Sequence, residues 1–303
     1  DVLFYREDVL ADLGVEVPKT WDEVYDLISV LKKRYMDFAP PAYLTVLYQT
    51  GETLYKNNGY QINLDSETAI QAFITTTDYY ITYNCPKTYN FQNRFRFGEM
   101  PLGMSDFAFY STLAVAAPEI KGSWSFTTLP GTVDPETGEV NYNTYANVNS
   151  VCMLMDAVET GNTAEERQAY ADDCWTFMKW WVSEEAQFEF GSELEASLGV
   201  AGRYNTANMN AAQRLPWTTK ELEALMDQWN NTVGYEEKVG GYYYTRYFQF
   251  AFNEVLDDYT DARETLLNYV QEINAEIKYK REQLNLPYSD SASDSSESSA
   301  ASN

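Results

Sequence analysis

The first 31 residues contain Asp1-Val2-Leu3-Phe4-Tyr5-Arg6-Glu7-Asp8-Val9-Leu10, then Gly14, then Pro18-Lys19-Thr20-Trp21-Asp22-Glu23 and a periodic run to Leu31. Val2, Phe4 and Tyr5 form a short apolar run suited to a strand, and Gly14 and Pro18 break the chain after it. Thr20 and Glu23 have the spacing of a capping box. The threonine hydroxyl takes an orphan helix N–H, and the glutamate reaches back to the threonine N–H. Trp21, Val24, Leu27, Ile28 and Leu31 then fall on one helical face.

Similar signals continue along the chain. Helices are expected from Tyr43 to about Tyr55, from Asp65 with Ile70, Phe73, Ile74, Thr77 and Ile81 at helical spacing, and from Phe109 to Val115. Strands are expected at Gly98–Met104, Trp124–Leu129 and Asn149–Met155, with a turn at Asp134-Pro135-Glu136-Thr137-Gly138 between the last two. Ala164–Trp181 reads as an amphipathic helix carrying Ala171, Cys174, Trp175, Met178 and Trp181. Further helices are expected at Ser183–Gln187, Thr218–Trp229, Phe248–Val255 and Ala262–Glu282. Helices interleaved with short apolar strands indicate an α/β architecture. The Ser/Asp-rich stretch at 288–303 has nothing to fill a core with and is expected to be a disordered acidic tail.

Composition narrows the function. A chain of 303 residues can bury a substantial core and is long enough for two domains. No apolar run approaches the roughly 18 residues of a transmembrane helix, and no signal peptide is visible in this sequence. Forty-six acidic residues against 21 basic ones give a net charge of -25, which repels phosphate backbones and anionic membranes. No nucleic-acid partner and no direct membrane insertion are expected. The chain contains no histidine, which removes Ser-His-Asp and Cys-His catalysis and histidine metal sites. Cys85, Cys152 and Cys174 lack zinc or CxxC spacing and read as buried thiols. With 25 Tyr, 15 Phe and 7 Trp, the chain is rich in flat rings of the kind that match the C–H faces of sugars.

The opening segment resembles the extracellular solute-binding proteins of bacterial carbohydrate ABC transporters (family 1, maltose-binding-protein-like). Five further fragments, in order, are similar to the same family: Tyr48-Gln49-Thr50-Gly51 with Asn57-Asn58-Gly59; Asp65-Ser66-Glu67 with Ala69-Ile70; Phe97-Gly98-Glu99-Met100-Pro101; Ala117-Pro118-Glu119-Ile120-Lys121-Gly122 with Leu129-Pro130-Gly131-Thr132; and Trp175-Thr176-Phe177-Met178-Lys179-Trp180-Trp181 before Ser183-Glu184-Glu185-Ala186-Gln187. The resemblance implies a periplasmic-binding-protein type II-like α/β fold of two lobes joined by hinge crossings, with the N-terminal lobe incomplete. Residues 1–128 and 196–287 would form the C-terminal lobe, and 129–195 would be what remains of the N-terminal one. It also implies a protein outside the cell, tethered to the outer face of the cytoplasmic membrane. Such a protein passes a sugar to transmembrane permease subunits, without catalysis, cofactor or metal.

In that family the ligand lies between the lobes, stacked on aromatic rings and bonded by polar side chains. The resemblance places Asp106, Phe107 and Tyr110 in the loop after the Gly98–Met104 strand. Asp106 either accepts sugar hydroxyls or caps the following helix. Tyr43 stands where relatives bring an aromatic ring to the cleft; the alternative is packing against Leu47. Gly240-Gly241-Tyr242-Tyr243-Tyr244-Thr245-Arg246 is the most suggestive run, because three consecutive tyrosines cannot all face one core. At least one of them should be exposed, with Tyr242 and Tyr243 as the candidates, either as a sugar platform or at a lobe interface, and Arg246 is either a clamp for an acidic sugar or an ion-pair partner. Trp217 and Trp229 read mainly as core. Two other functions stay open: a non-sugar solute such as an oligopeptide on the same scaffold, and a glycoside hydrolase using paired carboxylates.

Overall fold

A computed structural model describes residues 1–146 and 148–288; the tail expected at 288–303 lies, apart from Tyr288, outside the described residues. The chain opens with β1 (Val2–Arg6), α1 (Glu7–Leu13), α2 (Trp21–Lys32), β2 (Phe38–Ala39), α3 (Tyr43–Gln49), β3 (Tyr55–Lys56), β4 (Gln61–Ile62) and α4 (Glu67–Ile81). It continues through α5 (Phe91–Arg96), β5 (Leu102–Ser105), α6 (Ala108–Ala116), β6 (Trp124–Thr127), β7 (Thr132–Val133), β8 (Val140–Asn141) and β9 (Thr144–Ala146). Then come α7 (Met155–Val158), α8 (Ala164–Trp181), α9 (Glu184–Leu198), α10 (Met209–Arg214), α11 (Thr219–Asn230), β10 (Thr232–Gly234), α12 (Gly241–Asp258) and α13 (Ala262–Gln283).

The main sheet runs β2-β5-β1-β6. All five residues of β1 are buried, and the strand pairs antiparallel with both β5 and β6, placing Phe4 opposite Gly103 and Phe126. Arg6 closes β1 without being exposed. Its guanidinium donates to the carbonyls of Phe95 and Arg96 at 3.0 and 2.8 Å and pairs with Asp8. A Cβ on Gly103 would lie 2.5 Å from both the Ala39 Cβ and a ring carbon of Phe91. Gly103→Ala is therefore expected to overpack the sheet and cost about 1–3 kcal/mol, read as a lower urea midpoint; an unchanged midpoint would show that the sheet yields freely.

Helix α2 forms as its sequence dictates. Thr20 accepts from the Glu23 N–H, and all five predicted face residues are buried. One detail differs: Glu23 accepts from the Lys19 N–H at 2.6 Å rather than from that of Thr20. Helix α3 stops at Gln49, short of the expected Tyr55, where Gly51 turns at φ 83°. Helix α4 buries Ile70, Phe73 and Thr77 but leaves Ile81 exposed at its frayed end. Helix α12 starts at Gly241, earlier than expected, after Gly240 at φ 86°.

Three buried apolar clusters hold the fold together. One joins α3 and α4 to α12 and α13, one lies between α2 and the sheet, and one packs α6 against β1 and β6. Every buried member falls within residues 2–129 or 225–277. Among the described residues, 148–198 contribute none. The strand expected at Asn149–Met155 does not form: Asn149 to Cys152 are exposed, and Met155 begins α7. An apolar run with no ladder partner leaves its backbone groups to water. For the same reason Cys152 is an exposed free thiol; Cys174, on α8, is half-buried, and Cys85 is buried as expected.

Helix α8 is held by a capping box at Thr163 and Glu166, yet buries no residue. Ala171, Cys174, Met178 and Trp181 form its half-buried stripe, whereas Trp175, expected on that stripe, is exposed, along with Phe177 and Trp180. Contiguous exposed rings favour association. The chain is expected to self-associate as its concentration rises in sedimentation velocity, and Trp175→Ser with Trp180→Ser to suppress this. A concentration-independent monomer would contradict it.

Candidate functional site

The face that can meet a ligand is built around a polar seam. Gln49, at the end of α3, accepts from Trp21 Nε1 at 2.6 Å and from Thr132 Oγ1 at 2.8 Å, and donates to the Pro130 carbonyl at 2.9 Å. Gln228 in α11 accepts from the Leu129 N–H at 2.7 Å and donates to the Tyr142 carbonyl at 3.2 Å. Thr45 meets Thr144 hydroxyl to hydroxyl at 3.1 Å and donates to Met104 Sδ at 3.8 Å. Gln49, Gln228, Thr45 and Thr144 are all buried. They fix the segment 129–132 and strand β9, beside which β10 lies in parallel register.

Beyond that seam lies a group of tyrosines. Tyr145 on β9 and Tyr235 just after β10 are half-buried, with ring centroids 6.5 Å apart. The first turn of α12 presents Tyr242, 71 % exposed, and half-buried Tyr243, its ring 5.8 Å away at 69°. Tyr244 points into the core against Phe248. The helix period thus resolves the triple tyrosine as outward, edge and inward. Beneath the same turn the Tyr55 hydroxyl is buried without a hydrogen-bond partner among the described residues, 2.9 Å from where a Cβ on Gly241 would stand. Burial, reinforced by Tyr235 and Glu236, pushes the Tyr48 phenol up to about 12. Burial likewise raises the Tyr55 phenol, and both hydroxyls stay protonated at neutral pH.

The other sequence candidates are placed differently. Tyr43 is 4 % exposed, bonded to the Ala69 carbonyl at 3.2 Å and packed on Phe73 and Phe248. Phe107 and Tyr110 are likewise buried, stacked on each other at 5.6 Å with Trp217 edge-on to both. As the chain stands, none of these three offers a ring face to a ligand. The Tyr110 hydroxyl donates to Glu221 at 2.7 Å and accepts from Arg203 Nη1 at 2.9 Å. Burial, then that carboxylate, raises its pKa. Arg203 also pairs with Glu195 of α9 and lies 4.8 Å from the Trp217 ring centroid, so this cluster ties α6, α9 and α11 together.

Asp106 accepts from the Phe109 N–H at 3.2 Å in the first turn of α6 and remains exposed. Arg246 is exposed and sits 5.6 Å from the Phe250 ring centroid, with no carboxylate in ion-pair range among the described residues. The structure therefore brings Tyr242, Tyr243 and Arg246 together on α12 and leaves Asp106 on the β5–α6 loop, joined through Met104, Thr45 and β9. Tyr145 and Tyr235, half-buried, escaped the sequence reading, since only the pairing of β9 with β10 gathers them, with Tyr48 and Tyr55 buried among the same group. Among the described residues no His/Cys/Asp/Glu group could hold a metal, and no helix is long and apolar enough to cross a membrane.

The sequence profile of the bacterial extracellular solute-binding protein family matches residues 1–188, more than half of the chain. The chain belongs to this family. No curated protein sequence matches this solute-binding protein. Similar solved structures include an ABC transporter solute-binding protein from Thermotoga lettingae bound to alpha-D-tagatose, with TM-score 0.66, 14% identity, and 91% of this chain covering 70% of that one. Maltose-bound MalE3 of T. maritima gives TM-score 0.61, 17% identity, and coverage of 90% and 70%. The Listeria monocytogenes substrate-binding protein Lmo0181, in complex with cycloalternan, gives TM-score 0.64, 14% identity, and coverage of 94% and 70%. These likenesses establish the α/β fold of the periplasmic-binding-protein type II class.

Proposed function

We propose that this solute-binding protein captures a sugar or oligosaccharide outside the cell and delivers it to the permease of an ABC transporter, without catalysis. The observation that carries the reading is the first turn of α12, where Tyr242 and Tyr243 stand open while Tyr244 anchors them from below. Exposed flat rings with polar phenol edges suit a neutral polyhydroxylated ring, and Asp106 offers an exposed carboxylate acceptor on the separate β5–α6 loop. The ligands in the similar structures, tagatose, maltose and cycloalternan, are of that class.

Residues 1–128 and 196–287 form one lobe in this proposal, and 129–195 belong to the other. The confinement of the buried clusters to 2–129 and 225–277 supports that division. Tethering to the outer face of the cytoplasmic membrane is part of the same reading.

Calorimetric titration of the chain with maltose, tagatose and a tripeptide tests it. Saturable heat with a sugar, lost in Tyr242→Ala together with Tyr243→Ala, is the expected result. Binding of the tripeptide alone would favour a non-sugar solute, and release of reducing sugar from maltotriose would favour a hydrolase.

A further inference from the structure

A concavity of about 290 Å³ opens between α2, α4 and β7. It lies among none of the α12 tyrosines. The volume sits at the lower end of small-molecule sites and suits a single ring rather than a chain. Its inner wall is aromatic: Trp21 is buried, and Tyr25 lies against Tyr79 at 5.3 Å and 30°.

The α4 wall carries a polar stripe that precedes Tyr79 on the same helix. Thr68, Gln71 and Thr75 follow helical spacing and line the groove, and none of these side chains makes a hydrogen bond among the described residues. Thr76 and Thr77, on the buried side of the same helix, instead donate to the carbonyls of Ala72 and Ile74. The groove-facing hydroxyls and amide are thus left to external partners. The third wall is Gly131–Val133, and among the described residues the one charged side chain lining the groove is Asp22. With no cation among those residues, an anionic ligand has no counter-charge there.

We propose that this groove is a second binding site, for one neutral hydroxylated ring that covers the half-buried Tyr25, itself backed by Tyr79, with its apolar face and bonds Thr68, Gln71 and Thr75 through its hydroxyls. The assignment does not depend on the α12 wall. An apolar floor with hydroxyl and amide donors and acceptors on one side matches the two faces of a pyranose. Trp21 and Thr132 share Gln49 Oε1 as acceptor, so an occupant would rest on the same residues that hold the segment 129–132.

Methyl NMR of the full chain, titrated with D-glucose, tests the assignment, because Val46 and Val133 both line the groove. Saturable shifts of these two methyl groups are expected, in the millimolar range for so open a site. Thr75→Trp fills the groove and should abolish them, with Gln71→Trp as a second filling variant should the first not fold. Tyr242→Ala should leave them in place, which separates this site from the sugar wall on α12. Absence of the shifts, or their survival in a folded filling variant, would overturn the proposal.

Discussion

Phe107→Ala should lower the unfolding free energy by about 3–5 kcal/mol, the cost of removing a buried aromatic ring. The ring is 7 % exposed and contacts Tyr110, Phe126 and Trp217, so the void has little freedom to collapse. Tyr242→Ala gives the opposite pattern. Its ring is 71 % exposed, so melting should be unchanged, while sugar affinity falls by about 2 kcal/mol, roughly thirtyfold. Chemical denaturation beside calorimetric titration reads both quantities. A Tyr242→Ala variant that melts well below the parent, or a Phe107→Ala variant that melts with it, would reverse the assignment of wall and core.

Arg6→Met carries the second large effect. It leaves the Arg96 carbonyl without its donor, while the Phe95 carbonyl keeps the Gly98 N–H at 3.1 Å; a buried unpaired polar group costs about 1–3 kcal/mol, and a loss in that range is expected. The Asp8 end contributes less, because that side chain is 44% exposed and its pair is screened by water. The Arg6 hydrogen bond holds the Asp8 carboxyl below its usual value, against some opposing burial. A lowered folded-state pKa means that this contribution is present above the unfolded carboxylate value of about 3.9 and is lost as pH falls through the folded one. Arg6→Met should therefore flatten the stability profile on the acid side of pH about 4. A variant with unchanged stability at neutral pH would show that the Arg96 carbonyl finds water instead.

The features legible from sequence were those set by local spacing. Helix α2 buried its five predicted residues because a capping threonine and a 3.6-residue period are properties of the segment itself. The triple tyrosine was legible in the same way: no helix can point three successive side chains at one core, and Tyr242 is exposed. What failed depended on distant partners. Tyr43 is covered by Phe248, some 200 residues away in sequence, and Tyr110 is claimed by Arg203 and Glu221. The run Asn149–Met155 has the composition of a buried strand, but composition does not supply a neighbouring strand to pair with. The tyrosines at 48, 55, 145 and 235 carried no local signal, because their grouping arises from β9 meeting β10 beneath α12.

The split of the main core between the two ends of the chain bears on the order in which it is made. Leu47, Ile70 and Phe73 on α3 and α4 are covered by Ala251, Val255, Leu266, Val270 and Ile273 of α12 and α13. During synthesis that apolar face leaves the ribosome long before its cover, and roughly 170 further residues must emerge before the cover exists. Over that interval the nascent chain shows the surface on which holdase chaperones act, and a ribosome stalled before α12 would display a fragment unable to close its largest core. Closure of this core thereby waits on the emergence of α12 and α13, with α13 as the step that commits it.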